Sequence, residues 1–410
     1  MTIEQANAYF ASLPEGFAPA RQLQEALSAK AGRVDYLGVA GTAGKTTAAA
    51  LTAAVLRAAG LVTGSYHAGC EPLSARIRVN GEPVAPELLA QAAETLSARE
   101  TLPRAAAELA AAARCFGEAG CALAVVELPA AGLAEALPKM PVCAVTSIGP
   151  DGISASLERS AALAAGVMRK GSICVTAPEQ PKAVVSELVV PDPVDITFLE
   201  AEKFASRVDY GGYTVPLAFL GRHAAGSAAI AVELALALCK KGYDISDEAI
   251  LEGLAAVENR SSIRVLSQRP LVVLDACRTP QQAIALLRVL NMAKVRHLSA
   301  VIGLAEEEGA EAFFSALESG LTAETQKKDR TTMPGRSETP FDKVVLVPPA
   351  GTDAAMTERL LEKARYHFDA ELCGSLAEAV NLARANSRRG LLICGGEAIA
   401  LEAADLLAEK

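Results

Sequence analysis

The stretch Gly41-Thr42-Ala43-Gly44-Lys45-Thr46-Thr47 holds the residue types that can grip a polyphosphate. Two glycines let the chain turn tightly and aim its amides inward, a lysine adds a point charge, and the hydroxyl of Thr46 or Thr47 can reach a magnesium ion. The apolar run "VDYLGVA" (34–40) precedes it and an alanine-rich helical pattern follows, which is the strand–turn–helix setting such a cradle requires. Val39 stands where the commonest spacing has a further glycine. The plain alternative is a glycine-rich turn without a ligand; the context favours a nucleoside triphosphate.

The elements that must position these groups follow from the pattern of apolar residues. "CALAVVE" (121–127), "VCAVTS" (142–147) and "SICVTA" (172–177) read as strands, with a helix around Ala105 to Phe116 before the first. Their apolar residues run continuously instead of alternating, so both faces must be covered. This predicts an α/β protein with a mainly parallel sheet and helices on each side. "VDYGGYTVPLAFLGRH" (208–223) reads as a hairpin turning at Gly211-Gly212, followed by two helices broken at Gly242, the second starting after Ser246. A second strand and helix series starts with "PLVVLDACRTPQQAIALLRVL" (270–290), Thr279 serving as N-cap and Pro280 as first helical residue. "LSAVIG", "KVVLVP" and "GLLICG" are further strands, and Ser375 with Glu378 makes a capping-box pattern. The boundary between two domains falls near residues 264–269, and the polar stretch 322–342 reads as a loop.

Bulk properties narrow the partners. A formal charge of −9 excludes a general electrostatic hold on nucleic acid or acidic lipid while leaving a local anion site open. No uncharged apolar run approaches the roughly 20 residues of a spanning helix, and the start "MTIEQANAYF" has no leader character, so the reading is a cytoplasmic protein off the membrane. Nine scattered cysteines without a C-x-x-C pair read as small buried hydrophobes in a reducing compartment.

The variant Gly-Thr-x-Gly-Lys-Thr-Thr resembles the phosphate loop of the Mur ligase superfamily. "RIRVNGEPV" (76–84), "PVCAVTSIGPDG" (141–152), "AAGVMRKGSICVTAPEQPKAV" (164–184), "LAFLGRHAAGSAAIA" (217–231), "LVVLDACRTP" (271–280) and "AVIGLAEEE" (300–308) fall in the order and spacing of its folylpolyglutamate synthase and dihydrofolate synthase branch. The resemblance implies a P-loop, ATP-binding central-type domain over residues 1–266 and a smaller Rossmann-like ligase domain over 267–410. It implies an ATP-dependent amide ligase that adds glutamate to a folate-type carboxylate through an acyl phosphate, with ATP and Mg2+ as cofactors and a monomeric chain.

Carried across residue by residue, the resemblance assigns Gly41, Thr42, Gly44, Lys45, Thr46, Thr47, His223, Asp275 and Arg278 to nucleotide and phosphate, Lys45 among them as catalytic, and Thr46 with Glu127 to metal. Several family positions differ. His67 and Gly69 of "YHAG" (66–69) replace a magnesium-contacting serine and a histidine, and Asp151-Gly152 stands for Asp-His. Ala164 takes the place of the lysine that is carbamylated for a second magnesium. Ser227 replaces an asparagine, and Ser262 replaces an arginine for which Arg260 or Arg264 could substitute. Cys277, Arg278 and Thr279 replace Ala-His-Asn after Asp275 and Ala276, and Arg278 could clamp phosphate instead. Two alternatives stay open beside the ligase: a nucleotide-binding pseudoenzyme with a regulatory or scaffold role, and a ligase with a changed substrate and one metal site.

Overall fold

The computed structural model describes residues 1–408 except 17, 100, 129–132, 150–155, 179, 181–187, 200–203, 260–262, 320–340 and 350–351. Asp151-Gly152, Arg260, Ser262 and most of the expected loop at 322–342 therefore lie outside the described residues. At the loop's end, Phe341 and Asp342 already belong to the strand Phe341–Leu346, which starts earlier than "KVVLVP" implied.

Strand Asp35–Ala40 has six consecutive buried positions. It pairs in parallel with Leu123–Glu127 on one side and Val142–Val145 on the other, at the centre of an eight-stranded sheet. Thr63–Tyr66, Ile173–Thr176 and Leu188–Val189 continue the parallel set, and at one edge Ile77–Val79 pairs antiparallel with Thr63–Tyr66 and with Glu82–Pro83. The alternation of side chains divides the core as the continuous apolar runs predict. Tyr36, Ala124, Val126, Cys143 and Val145 face one layer, with helices Ile3–Ser12, Pro86–Ser97 and Arg104–Glu118. Leu37, Val39, Val125, Val142, Ala144 and Val175 face the other, with Lys45–Ala58, Arg222–Lys240 and Asp247–Ala255. The helices Ile3–Ser12 and Ala20–Ala26 were not foreseen; the first is fixed by a Thr2–Gln5 capping box that ordinary polar residues had concealed.

The phosphate-loop helix Lys45–Ala58 carries alanine where other helices carry bulk, so its neighbours come close. Asp247–Ala255 approaches nearest at Gly253, where an added Cβ would run into the backbone of Val55. Any side chain there would push the two helices apart. Arg222–Lys240 is long and apolar enough, by length and composition only, to cross a membrane, yet 67% of that stretch is buried inside the molecule. Its apolarity is that of a central helix packed on two neighbours.

The hairpin Ser206–Tyr210 and Tyr213–Leu217 turns at Gly211 and Gly212, both with positive φ, and pairs with Ile196–Leu199 in a separate three-stranded sheet. A six-stranded sheet runs in the order Arg264–Gln268, Leu271–Leu274, Gly390–Cys394, Leu298–Ile302, Phe341–Leu346 and Ala370–Leu372. All its pairings are parallel except that of the edge strand Arg264–Gln268. It too is buried on both faces, Val273, Ala300, Ile302 and Val344 on one and Val272, Val301, Val345 and Ile393 on the other.

The caps read from sequence hold at Ser246 and Thr279, the latter as a full box with Gln282. Ser375 accepts from the Glu378 amide. All nine cysteines are free, and six of them are buried as expected. Cys70 corrects that expectation: it is exposed, because it sits in the turn after Thr63–Tyr66 and not in a strand.

Candidate active site

Strand Asp35–Ala40 ends at Gly41, whose φ of 137° and closeness to Thr146 leave no room for a side chain. Gly44, with φ of 83°, closes the turn as the N-cap of Lys45–Ala58. The neighbouring segment 146–149 fixes the loop from outside. The Ser147 carbonyl accepts from the Thr42 amide at 3.1 Å, the Ala43 amide at 3.2 Å and the Thr42 hydroxyl at 3.0 Å. The Gly149 amide in turn donates to that hydroxyl at 2.8 Å. Two of the amides after Ala40 are thereby engaged, and the helix start that follows has no side-chain cap. The Lys45 ammonium folds back over the turn and donates to the Gly41 carbonyl at 2.8 Å.

Glu127, at the end of its strand, is 1% exposed and lies beside the start of that helix. Burial raises its pKa, against the attraction of His67 and Lys45 and a hydrogen bond with Thr46. Its Oε1 has no hydrogen-bond partner although it is buried. A buried carboxylate oxygen without a partner is costly, and a bound cation removes the cost. A carboxylate and a hydroxyl are the oxygen donors that Mg2+ prefers, so this pair fits that ion. Thr47, in contrast, is buried in the helix packing.

Thr46 and Glu127 line a cavity of about 290 Å3. Ala49, Ala50, Ala53 and Ala54 of the phosphate-loop helix form part of its wall; His67, Glu71, Asp275 and Glu397 also line it. Sequence reasoning placed His67 and Asp275 near the site but missed Glu71 and Glu397. Gly-Gly-Glu after the strand Gly390–Cys394 was the only available signal for Glu397, and it does not say what lies opposite.

The remaining candidates divide. Asp275 is buried, and burial pushes its carboxyl up to about 7, against hydrogen bonds from Cys277 and the Ala276 backbone. The folded chain keeps this proton to higher pH than the unfolded chain. The stability it contributes is therefore full below the ordinary value of 3.8 and is lost as pH rises through about 7. Urea unfolding of wild type and Asp275→Asn across pH 4 to 8 should show the variant gaining on wild type by up to roughly 4 kcal/mol as pH rises. A constant difference between the two would rule that out.

Arg278 is half exposed and lies 4.0 Å from Glu306, and its amide is held by Gln282. His223 is exposed at the start of Arg222–Lys240. The next turn of that helix reaches the loop, since a Cβ on Gly44 would lie 3.3 Å from Ser227 Oγ. Ala164 is buried in the helix Leu157–Ala165, and its methyl group offers no nitrogen.

Among known proteins, the human mitochondrial folylpolyglutamate synthase is 30% identical over 225 residues, which is 50% of this chain and 37% of the human protein's length. The E. coli FolC structure in complex with DHPP and ADP superposes with a TM-score of 0.80 at 20% identity, covering 100% of this chain and 98% of that one. The Mycobacterium tuberculosis folylpolyglutamate synthase complexed with ADP gives 0.80 at 19%, with the same coverage. No family profile matches the chain.

Proposed function

We propose, from a chain that has the fold of the folylpolyglutamate synthase branch of the Mur ligases, that it binds ATP at residues 41–47 and joins a carboxylate to an amine. The observation that carries the reading is Glu127, a fully buried carboxylate with an unpartnered oxygen, hydrogen-bonded to Thr46 of the phosphate loop. A protein with no ligand there would gain by replacing Glu127 with an apolar residue. Residues 1–266 form the ATP-binding unit in this reading, and 267–410 supply the opposite wall of the cavity. Gly41, Thr42, Gly44, Lys45, Thr46 and Thr47 make up the phosphate site, with His223, Asp275 and Arg278 as outlying contacts. The chain works as a monomer.

In the reaction, a carboxylate oxygen attacks the γ-phosphorus, the bond to the bridging oxygen breaks and ADP departs. The amine nitrogen then attacks the acyl carbon, phosphate leaves with the bonding pair, and the amine loses its proton to water. Lys45 would release Gly41 and turn to the phosphates, where its charge opposes the build-up of negative charge. Thr46 and Glu127 would hold Mg2+, which supplies further neutralisation of the triphosphate. The cavity takes the carboxylate substrate, a folate-type acid by likeness to the relatives above, with glutamate as the amine. The FolC structure is in complex with DHPP, which favours that choice.

A second reading stays open beside it. Ala164 cannot become a carbamate, so the second metal of the resembling enzymes has lost a ligand, and a nucleotide-binding protein without ligation is consistent with that. One assay separates the two. Protein, Mg-ATP, glutamate and a reduced folate or dihydropteroate are incubated and analysed by mass. ADP together with a product one glutamate heavier is the expected result. Bound ATP with no ADP formed would replace the ligase with the nucleotide-binding protein.

A further inference from the structure

We propose that His367 is a pH-operated clasp: its imidazolium joins Glu311 and Glu318, and loss of its proton frees the end of helix Ala354–His367 from helix Ala310–Ser319. Nδ1 lies 2.7 Å from Glu318 Oε2, and Nε2 lies 3.0 Å from Glu311 Oε1. A carboxylate can only accept, so both ring nitrogens must donate, and only the charged ring carries two N–H groups. A neutral ring keeps one N–H and turns the lone pair of its other nitrogen on a carboxylate. The side chain of His367 is 5% exposed, against 58% and 36% for those of Glu311 and Glu318. Water can therefore solvate either carboxylate once it is released. The two acids stand two helical turns apart, roughly 10 Å along the axis, so one ring holds both ends of Ala310–Ser319.

No neighbouring group competes with these two acids for the proton. Phe314 and Phe368 lie beside the ring, with centroids 6.5 and 5.9 Å away, and Tyr366 meets it edge-on at 5.3 Å. On its own helix, Lys363 pairs with Glu307 and Arg365 donates to the Ala370 carbonyl. On the strand Ala370–Leu372, which also packs against that helix, Glu371 is bound to Lys343, as is Asp369 just before it. Burial in this apolar setting disfavours the charge, and the bonds to Glu318 and Glu311 outweigh it, so the ring's pKa stands above the ordinary 6.5. The folded chain holds this proton more tightly than the unfolded one. The stability it contributes is full below 6.5 and is lost as pH rises through the folded value.

Ring and helix are measured separately in the full-length protein. The imidazole of His367, assigned through its contacts with Phe314 and Phe368, is titrated by NMR from pH 5 to pH 9. A midpoint above 6.5 is expected in wild type, moving down in Glu311→Gln and in Glu318→Gln. Hydrogen exchange of residues 360–368, corrected for the intrinsic effect of pH, should quicken in wild type between pH 6 and pH 9. The gain should be roughly tenfold for each unit by which the midpoint exceeds 6.5, and His367→Gln should show none. A wild-type midpoint at or below 6.5 overturns the clasp, and that titration stands even where a variant fails to fold. A midpoint unmoved in both glutamine variants overturns it too, as does exchange that quickens equally in His367→Gln. None of the three residues lines the cavity described above, so these outcomes leave ATP binding and ligation untouched.

Discussion

Lys45→Ala is expected to weaken Mg-ATP binding by roughly 10- to 100-fold. The estimate follows from the loss of a charged hydrogen-bond donor to phosphate, worth about 1.5–3 kcal/mol. Its bond to the Gly41 carbonyl bridges four residues within one turn, and its charge also attracts the buried Glu127 carboxylate. Gly41 and Gly44 set the shape of that turn through their backbone, and segment 146–149 fixes it from outside, so alanine at 45 should leave the fold intact. Calorimetric titration of both proteins with Mg-ATP, alongside urea unfolding, measures the two quantities separately. Equal affinities would remove the phosphate site from the account, and with it the ligase.

Arg76→Met is expected to destabilise the fold by about 3 kcal/mol at neutral pH. Arg76 and Glu108 form a two-point ion pair at 2.8 and 2.6 Å, with side chains 2% and 6% exposed. Tyr66 donates to the same carboxylate at 2.9 Å and Arg104 at 3.0 Å. Burial alone would raise the pKa of Glu108; Arg76, Arg104 and Tyr66 together hold it below the ordinary value. Removing Arg76 leaves that charge with the partly exposed Arg104 and the Tyr66 hydroxyl, which keeps the cost near the low end for a broken buried pair. The group's stabilising share is present above the ordinary carboxylate pKa and disappears as pH falls through the depressed one, so the wild-type advantage should shrink in acid. Urea unfolding at pH 7 and pH 3 reads both effects. Arg76 also holds the carbonyls of Glu71 and His67, so the turn that carries both should loosen in the variant.

Local chemistry made much of this architecture readable. The strand, turn and helix over 34–58 announce themselves because a continuous apolar run, two glycines and a helical period come in sequence. The hairpin at Gly211-Gly212 and the Thr279-Pro280 helix start are equally local signals. The Glu127 assignment came from resemblance, and its burial and unpartnered oxygen gave it a physical meaning that sequence lacks. Groups that meet only across the fold stayed hidden. Cys70 and Glu397 are separated by 327 positions, and nothing near either one names the other. Arg76 appeared within "RIRVNGEPV" as part of a family pattern, with no sign that it anchors a buried carboxylate. Cys70 went wrong for the opposite reason: a residue type that is usually interior was placed by average behaviour, when a turn had brought it to the surface.

The touching backbones at Gly253 and Val55 bear on how a molecule enters the cavity. That side of the vessel has no slack, and the alanines lining it have no length to swing aside. A molecule that fits there meets a wall that cannot give, so any adjustment to its shape must come from the other residues that line the cavity.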